Sequence, residues 1–464
     1  MSIIRQNSSV SRRRLLKGMA VGGIGGFGLP SAMSSDLAAA ESDDYRAIVC
    51  IFLEGGSDNW NTLVPFDRIS HGNYFSARPN IAFSQANLNA THLKQSNDLG
   101  GYSYALNPSM RPLLEVFDAG DLAVLQNIGA LMAPTSAAMF MNESGLLPSR
   151  LFSHNTQSDF VLTGEDGGGA TGWGGRIADQ LVGYNAYREF TCINAAAASS
   201  PFLSGRTLTP YAIDENGAKL IFGGREDATT ALLRTVTTAV SNNVFRNEYA
   251  KIMRRALYAG NLFASVFSQI PESDLADLPT NNNELGRQMK AIAKTIAGAR
   301  VMGMRRQVFF AKLPNWDAHS TTDESNNNSK RLADAMHGFW RVMERWGIGS
   351  SVTTFTVSDF GRTLTSNGSG TNHGWGSAQF VMGGAVAGGK ILGKPPVVGV
   401  GSPDSVLGGR LVPSTPIDSL AATLAAWMGV SETGLVGIAP NLSRFDPSVR
   451  VLDLFGTVRP NGPN

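Results

Sequence analysis

Short unbroken apolar runs alternate along this chain with longer stretches whose apolar residues recur at helical spacing. Residues 45–53, Tyr-Arg-Ala-Ile-Val-Cys-Ile-Phe-Leu, are continuous and rich in β-branched side chains, which predicts a strand buried on both faces. Residues 122–126, 308–311, 352–357 and 380–384 carry the same signal. Helices are predicted over 109–118, 228–269, 285–302, 330–346 and 417–428 from periodicity and good helix formers. In the fourth of these, Leu332, Met336, Phe339, Trp340, Met343 and Trp346 fall on one side. Residues 145–175 read as loop-rich, and Thr280-Asn281-Asn282-Asn283 and Asn326-Asn327-Asn328 as short polar loops. Alternating strands and helices predict an α/β fold with a mostly parallel sheet. No Pro/Ser-rich linker divides the chain, so a single domain over 41–464 is expected.

Composition changes this picture at one end only. Lys and Arg number 39 against 37 Asp and Glu, a formal charge of +2. The excess sits in the first 40 residues; the remainder has 34 basic and 36 acidic side chains, which gives no electrostatic case for nucleic acid. Those first residues hold Ser11-Arg12-Arg13-Arg14-Leu15-Leu16-Lys17, then a weakly apolar Gly-rich stretch from Met19 to Leu29, then Ala38-Ala39-Ala40. Their order resembles a twin-arginine export signal with a small-residue cleavage site. Export as a folded protein through the twin-arginine translocase, to the periplasm or beyond, is expected. No apolar run reaches the ~20 residues that span a bilayer. Cys50 lies in the first apolar run, where a buried free thiol is expected; two cysteines 142 positions apart make no thiolate metal site.

The candidate chemistry lies just beyond the predicted strands. Three of them lead into an aspartate: Asp58, Asp317 and Asp359. Carboxylates gathered at the carboxyl edge of an open sheet repel one another unless protons or a cation balance them. His319 stands two residues after Asp317, and His154 and His373 lie in polar loops. Imidazole with carboxylate suits zinc, manganese or iron. Taken singly, each aspartate equally suits a helix N-cap and each histidine a satisfied polar core position. Taken together, Asp58, Asp317, His319, Asp359 and His373 are the expected ligands of a divalent metal.

Certain segments make a family resemblance specific. They are Ile51-Phe52-Leu53-Glu54-Gly55-Gly56-Ser57-Asp58-Asn59-Trp60-Asn61-Thr62, Phe152-Ser153-His154-Asn155-Thr156-Gln157-Ser158 and Thr171-Gly172-Trp173-Gly174-Gly175-Arg176. With them go Leu285-Gly286-Arg287-Gln288, Asp317-Ala318-His319-Ser320, Ser358-Asp359-Phe360-Gly361-Arg362-Thr363 and His373-Gly374-Trp375-Gly376. Over nearly its whole length after residue 40 the chain resembles the exported family DUF1501, which is similar to the alkaline phosphatase and sulfatase superfamily. The resemblance implies a three-layer α/β/α sandwich with metal at the carboxyl edge of the sheet. It implies that Asp58, Asp317, His319, Asp359 and His373 are ligands. Phe360 stands where that superfamily usually has a second histidine, and Asp-x-His is tighter than its usual spacing, so one metal, zinc or manganese, is expected rather than two.

The nucleophile has no motif of its own. Ser153, Thr156, Ser158 and Thr171 are candidates, and Ser153 is preferred because it adjoins His154, a base or ligand. No Cys-x-Pro-x-Arg occurs, which argues against a formylglycine. Arg176 and Arg362 are candidates for holding an anion. The expected function is an exported metal-dependent hydrolase of a phosphate, sulfate or related ester. The alternative is a non-catalytic, metal-stabilised partner or assembly factor for another exported protein.

Overall fold

The computed structural model describes residues 44–215, 217–218 and 242–456. The export signal over 1–40 and the first part of the helix expected over 228–269 lie outside the described residues.

Among the described residues ten strands form the main sheet: β1 (Arg46–Leu53), β2 (Leu122–Gly129), β3 (Cys192–Asn194), β4 (Tyr211–Asp214), β5 (Gly217–Ala218), β6 (Arg306–Leu313), β7 (Val352–Ser358), β8 (Ser377–Met382), β9 (Lys390–Leu392) and β10 (Thr415–Pro416). Their order is β9-β2-β8-β7-β1-β6-β3-β4-β5, with β10 also paired to β2. Most pairs are parallel; β8 runs antiparallel to both its neighbours, and β5 is antiparallel to β4. The expected α/β fold with a mostly parallel sheet is therefore found.

The three layers follow from strand alternation. Along β1, Ala47, Val49, Ile51 and Leu53 enter one buried cluster, and Ile48, Cys50 and Phe52 enter another. Period-2 side chains buried on both sides require cover on both sides. The first face is covered by α3 (Val244–Phe267), α4 (Glu284–Ala297) and α5 (Asp323–Arg345). The second is covered by α1 (His154–Thr163), α2 (Trp173–Leu181) and α6 (Ile417–Met428). Both cysteines are buried and free.

Residues 145–175 are loop-rich but not wholly loop: α1 begins at His154 and buries Phe160, Val161 and Leu162 beneath a run of polar residues that hides its periodicity. Against the sequence reading, Asn326-Asn327-Asn328 is not a loop; it lies within α5. Asn328 is fully buried and its amide donates to the carbonyls of Pro314 and Asn315 at 2.9 and 3.0 Å. That tertiary anchor overrides the poor helix propensity of asparagine.

What positions the site is the register of three parallel strands. Leu53 at the end of β1 lies beside Leu313 at the end of β6 and beside Ser358 at the end of β7. The segments that follow them, with Asp58, Asp317 and Asp359, therefore leave the sheet at one edge.

On the second face, Asp418 in α6 is buried and accepts from the Asn441 backbone N–H at 2.9 Å. Burial pushes its carboxyl up to about 6, against the pull of Asn441 and of Arg176. A folded pKa above the unfolded ~3.9 means the folded chain holds this proton longer. Stability from this group is thus lost as pH rises from about 4 to about 6, by roughly 3 kcal/mol in all. Urea unfolding of wild type and Asp418→Asn across that interval is expected to show a steeper loss of stability with rising pH in wild type than in the variant.

Candidate metal centre

Five segments converge at the sheet edge. After β1 the chain turns through Gly55 and Gly56 with φ of +117° and +82°, values that favour glycine. A Cβ at Gly55 would stand 2.6 Å from the Asp317 nitrogen, so the turn must be bare for the loop after β6 to pack on it. The loop after β6 carries Asp317 and His319, and β7 runs directly into Asp359. A two-stranded hairpin, Arg362–Ser366 with Thr371–His373, sets Arg362 opposite His373. The amino end of α1 supplies His154.

His154, Asp317 and His373 present ligand atoms close enough to share one ion. The separation is 3.1 Å between the Nε2 atoms of His154 and His373, 3.3 Å from His373 Nε2 to Asp317 Oδ1 and 3.5 Å from His154 Nε2 to Asp317 Oδ2. Ligands on a tetrahedral cation at ~2.0–2.1 Å stand about 3.3 Å apart, so the trio has the span of such a site. His319 flanks it, with Nε2 2.7 Å from His373 Nε2 and 3.1 Å from Asp317 Oδ1.

The tautomers strengthen the fit. His373 Nδ1 lies 2.7 Å from the Phe152 carbonyl oxygen, which only accepts, so Nδ1 carries the hydrogen. His154 Nδ1 lies 2.6 Å from Asp359 Oδ2, and the same reasoning places its hydrogen there. In the neutral rings both Nε2 lone pairs then face each other across 3.1 Å. Lone pairs in that relation call for a proton or a cation between them. A carboxylate or carbonyl behind each ligating imidazole is the usual support of a metal-binding histidine.

The electrostatics agree. The hydrogen bond to Asp359 raises the His154 pKa, with added help from the charges of Asp359 and Asp317 and against burial and Arg362. Burial lowers that of His373, with His154 and Arg362 adding to it and the Phe152 carbonyl and Asp317 opposing. At Asp317 burial pushes upward, yet the hydrogen bond and charge of Arg362, with His319 and His154, outweigh it and hold the carboxyl below its usual value. Asp317 is thus kept ionised on a face where its side chain is 43% exposed and that of His319 44%.

Of the residues singled out in the sequence, Asp317, His319 and His373 are brought together, and His154 joins them. Asp359 and Asp58 are engaged elsewhere. Asp359 is buried, holds His154 Nδ1 and accepts from the Gly55 N–H at 3.3 Å, so it stands behind His154 and outside the trio. Asp58 is clamped by Arg78, whose Nη1 and Nη2 reach its two oxygens at 2.7 and 2.9 Å, and it caps the short helix Asn59–Thr62 by accepting from Trp60 N. Its negative charge is already balanced by a guanidinium. Arg362, expected to hold an anion, is fully buried. It donates to Asp317 Oδ1 at 2.8 Å, to the Thr371 hydroxyl and carbonyl, and to the Gly55 carbonyl. Arg176 is likewise spent on the carbonyls of Thr163, Thr171 and Ile438. Ser153 is the half-buried N-cap residue of α1, and its side chain makes no capping bond. Phe360 packs against the rings of His154 and His373 at 4.8 and 4.7 Å, giving the site an apolar floor.

Sequence reasoning missed Arg78 as the partner of Asp58 and the Phe152 carbonyl as the support of His373. Nothing in the local sequence marks either, because both are contacts between segments distant along the chain.

Residues 45–435 match the family described as protein of unknown function (DUF1501). No curated protein matches the chain. Solved structures with some likeness include Ps i-CgsB in complex with k-i-k-neocarrahexaose, at 10% identity over 85% of this chain and 74% of that one, TM-score 0.34. The PsFucS1 sulfatase from Pseudoalteromonas sp. gives 9% identity over 87% and 71%, TM-score 0.34. The phosphonate monoester hydrolase SpPMH from Silicibacter pomeroyi gives 9% over 83% and 73%, TM-score 0.31. Likeness at that level carries nothing about what this chain binds or transforms.

Proposed function

The chain belongs to the DUF1501 family, a family of unknown function, and on the geometry of its sheet edge we propose that it is a metal-dependent hydrolase of a phosphate, sulfate or related ester. The observation that carries this reading is the His154–Asp317–His373 trio, with both imidazoles turned by hydrogen bonds at Nδ1 and one side open to solvent. Three protein ligands with an open fourth position are the pattern of catalytic rather than structural sites. When bound, a divalent ion of zinc or manganese type would supply Lewis acidity and a lowered pKa for water at that position.

The chain's own groups take the remaining roles. Asp359 and the Phe152 carbonyl keep the two Nε2 atoms free to ligate. Arg362 orients Asp317 and keeps it anionic. His319, exposed beside the trio, is placed to accept a proton from the attacking group or return one to the leaving oxygen. Among the described residues no hydroxyl hydrogen-bonds to His154, His319 or His373. Water is therefore favoured over Ser153 as nucleophile. Ser153→Ala is expected to retain most turnover of an aryl phosphate, phosphonate or sulfate ester, and His319→Ala to lose about 10²–10⁴-fold while keeping the metal. Loss of turnover in Ser153→Ala with metal retained would restore the serine.

One observation favours the second reading, a non-catalytic metal-stabilised partner for another exported protein. Arg362, the arginine hydrogen-bonded to Asp317, is buried and fully engaged, and Phe360 lines the floor. In that case the metal adds only thermal stability and no ester is turned over.

We also read residues 41–464 as one exported domain. Among the described residues no helix is long and apolar enough to cross a membrane. Changing Arg12 and Arg13 to lysine is expected to leave unprocessed protein in the cytoplasm, seen by fractionation; normal processing would count against the twin-arginine route.

A further inference from the structure

Phe152 adopts φ +71°, a left-handed conformation that is strained for a bulky residue and persists only where its surroundings impose it. In this conformation its carbonyl meets His373 Nδ1 at 2.7 Å. One side chain grips both members of that pair. The guanidinium of Arg410 lies 4.8 Å over the centre of the Phe152 ring, and Arg410 Nε donates to the His373 carbonyl at 2.7 Å. Arg410 is itself fixed: it lies in a short antiparallel pairing with Val406, and its Nη1 donates to the Leu407 carbonyl. The Phe152 ring also meets Phe140, which in turn packs on Trp375, two residues beyond His373.

We propose that Arg410 is a positioning residue for His373, holding the strained Phe152 carbonyl on Nδ1 so that Nε2 is the free nitrogen and points at Asp317 and His154. This rests on the metal reading for its consequence, but the orientation it describes exists without a metal. Arg410 touches none of the ligating atoms in the structure. It acts through one backbone carbonyl and one aromatic ring, a cation–π contact and a hydrogen bond that a shorter or neutral side chain cannot make together.

The test uses the whole chain with ¹⁵N-labelled histidine. In metal-free wild type, His373 is expected in a single tautomer with the hydrogen on Nδ1. In Arg410→Met, which keeps an apolar stem against Phe152, it is expected in a mixture. Zinc titration is expected to show a 10–100-fold loss of affinity in that variant, the size found when the support of a ligating histidine is removed. The visible spectrum of the cobalt-substituted protein is expected to change shape. A merely structural role would alter thermal stability and leave tautomer and spectrum as they are. Phe152→Gly serves as a second variant: it keeps the carbonyl, takes the positive φ without strain and removes the ring under Arg410. It too is expected to bind zinc more weakly. Affinity within twofold of wild type together with a single His373 tautomer, in either folded variant, overturns the proposal. If wild type takes up no zinc, the metal reading fails, and the tautomer comparison still decides the role of Arg410.

Discussion

Arg78→Met is expected to lower the unfolding free energy by about 3–5 kcal/mol, the cost of leaving a buried charge without its partner. Arg78 and Asp58 are 0% and 3% exposed at their side chains, so water cannot replace either. The guanidinium also donates to the carbonyls of Thr363 and Leu364 and to the Asn61 amide oxygen. It thereby ties the end of the helix Arg68–Ala77 to the turn after β1 and to the hairpin that carries His373. Denaturant unfolding measures the loss. Adding Asp58→Leu to the variant is expected to recover part of it, because the stranded charge goes while the orphaned carbonyls remain. If the double variant is no more stable than Arg78→Met, the ion pair is not the source of the cost. Asp58→Asn is expected to leave metal uptake intact, which separates Asp58 from the ligands.

The second large effect is at the trio. Asp317→Asn and His373→Ala are each expected to weaken zinc or manganese binding by about 100-fold or more, since one removes the charge that offsets the cation and the other a nitrogen ligand. Binding is expected to weaken as pH falls, with a sign set by two groups. His154, whose pKa is raised, must give up a proton that it holds more tightly than usual, whereas Asp317, whose pKa is lowered, is already ionised. The pH dependence is therefore that of an imidazole and not of a carboxylate. Equilibrium titration at pH 6 and pH 8 reads it.

The strands, their alternation with helices and the edge at which the aspartates leave the sheet were legible because continuous apolar runs and the residues after them are local signals. Asp317 and His319 could be read together for that reason, and His373 from its polar loop and the family resemblance. Asp58 and Asp359 could not be separated from them. A carboxylate after a strand looks the same in sequence whether it faces a metal, an arginine or an imidazole. Arg78 reaches Asp58 across 20 residues, and Asp359 reaches His154 across 205. His154 was visible as chemistry but its helix was not, since the apolar residues of α1 follow it only at Phe160. Arg362 looked like an anion clamp, and only its burial shows that its hydrogen bonds are already spent.

Turnover of an aryl ester by metal-free wild-type protein, as zinc or manganese is titrated in, decides whether the His154–Asp317–His373 trio holds a catalytic metal. Activity is expected to be absent at the start, to rise with added metal and to saturate at one ion per chain, with none in His373→Ala. Hydrolysis by the metal-free protein, or stoichiometric metal uptake with no hydrolysis, would contradict a catalytic metal there.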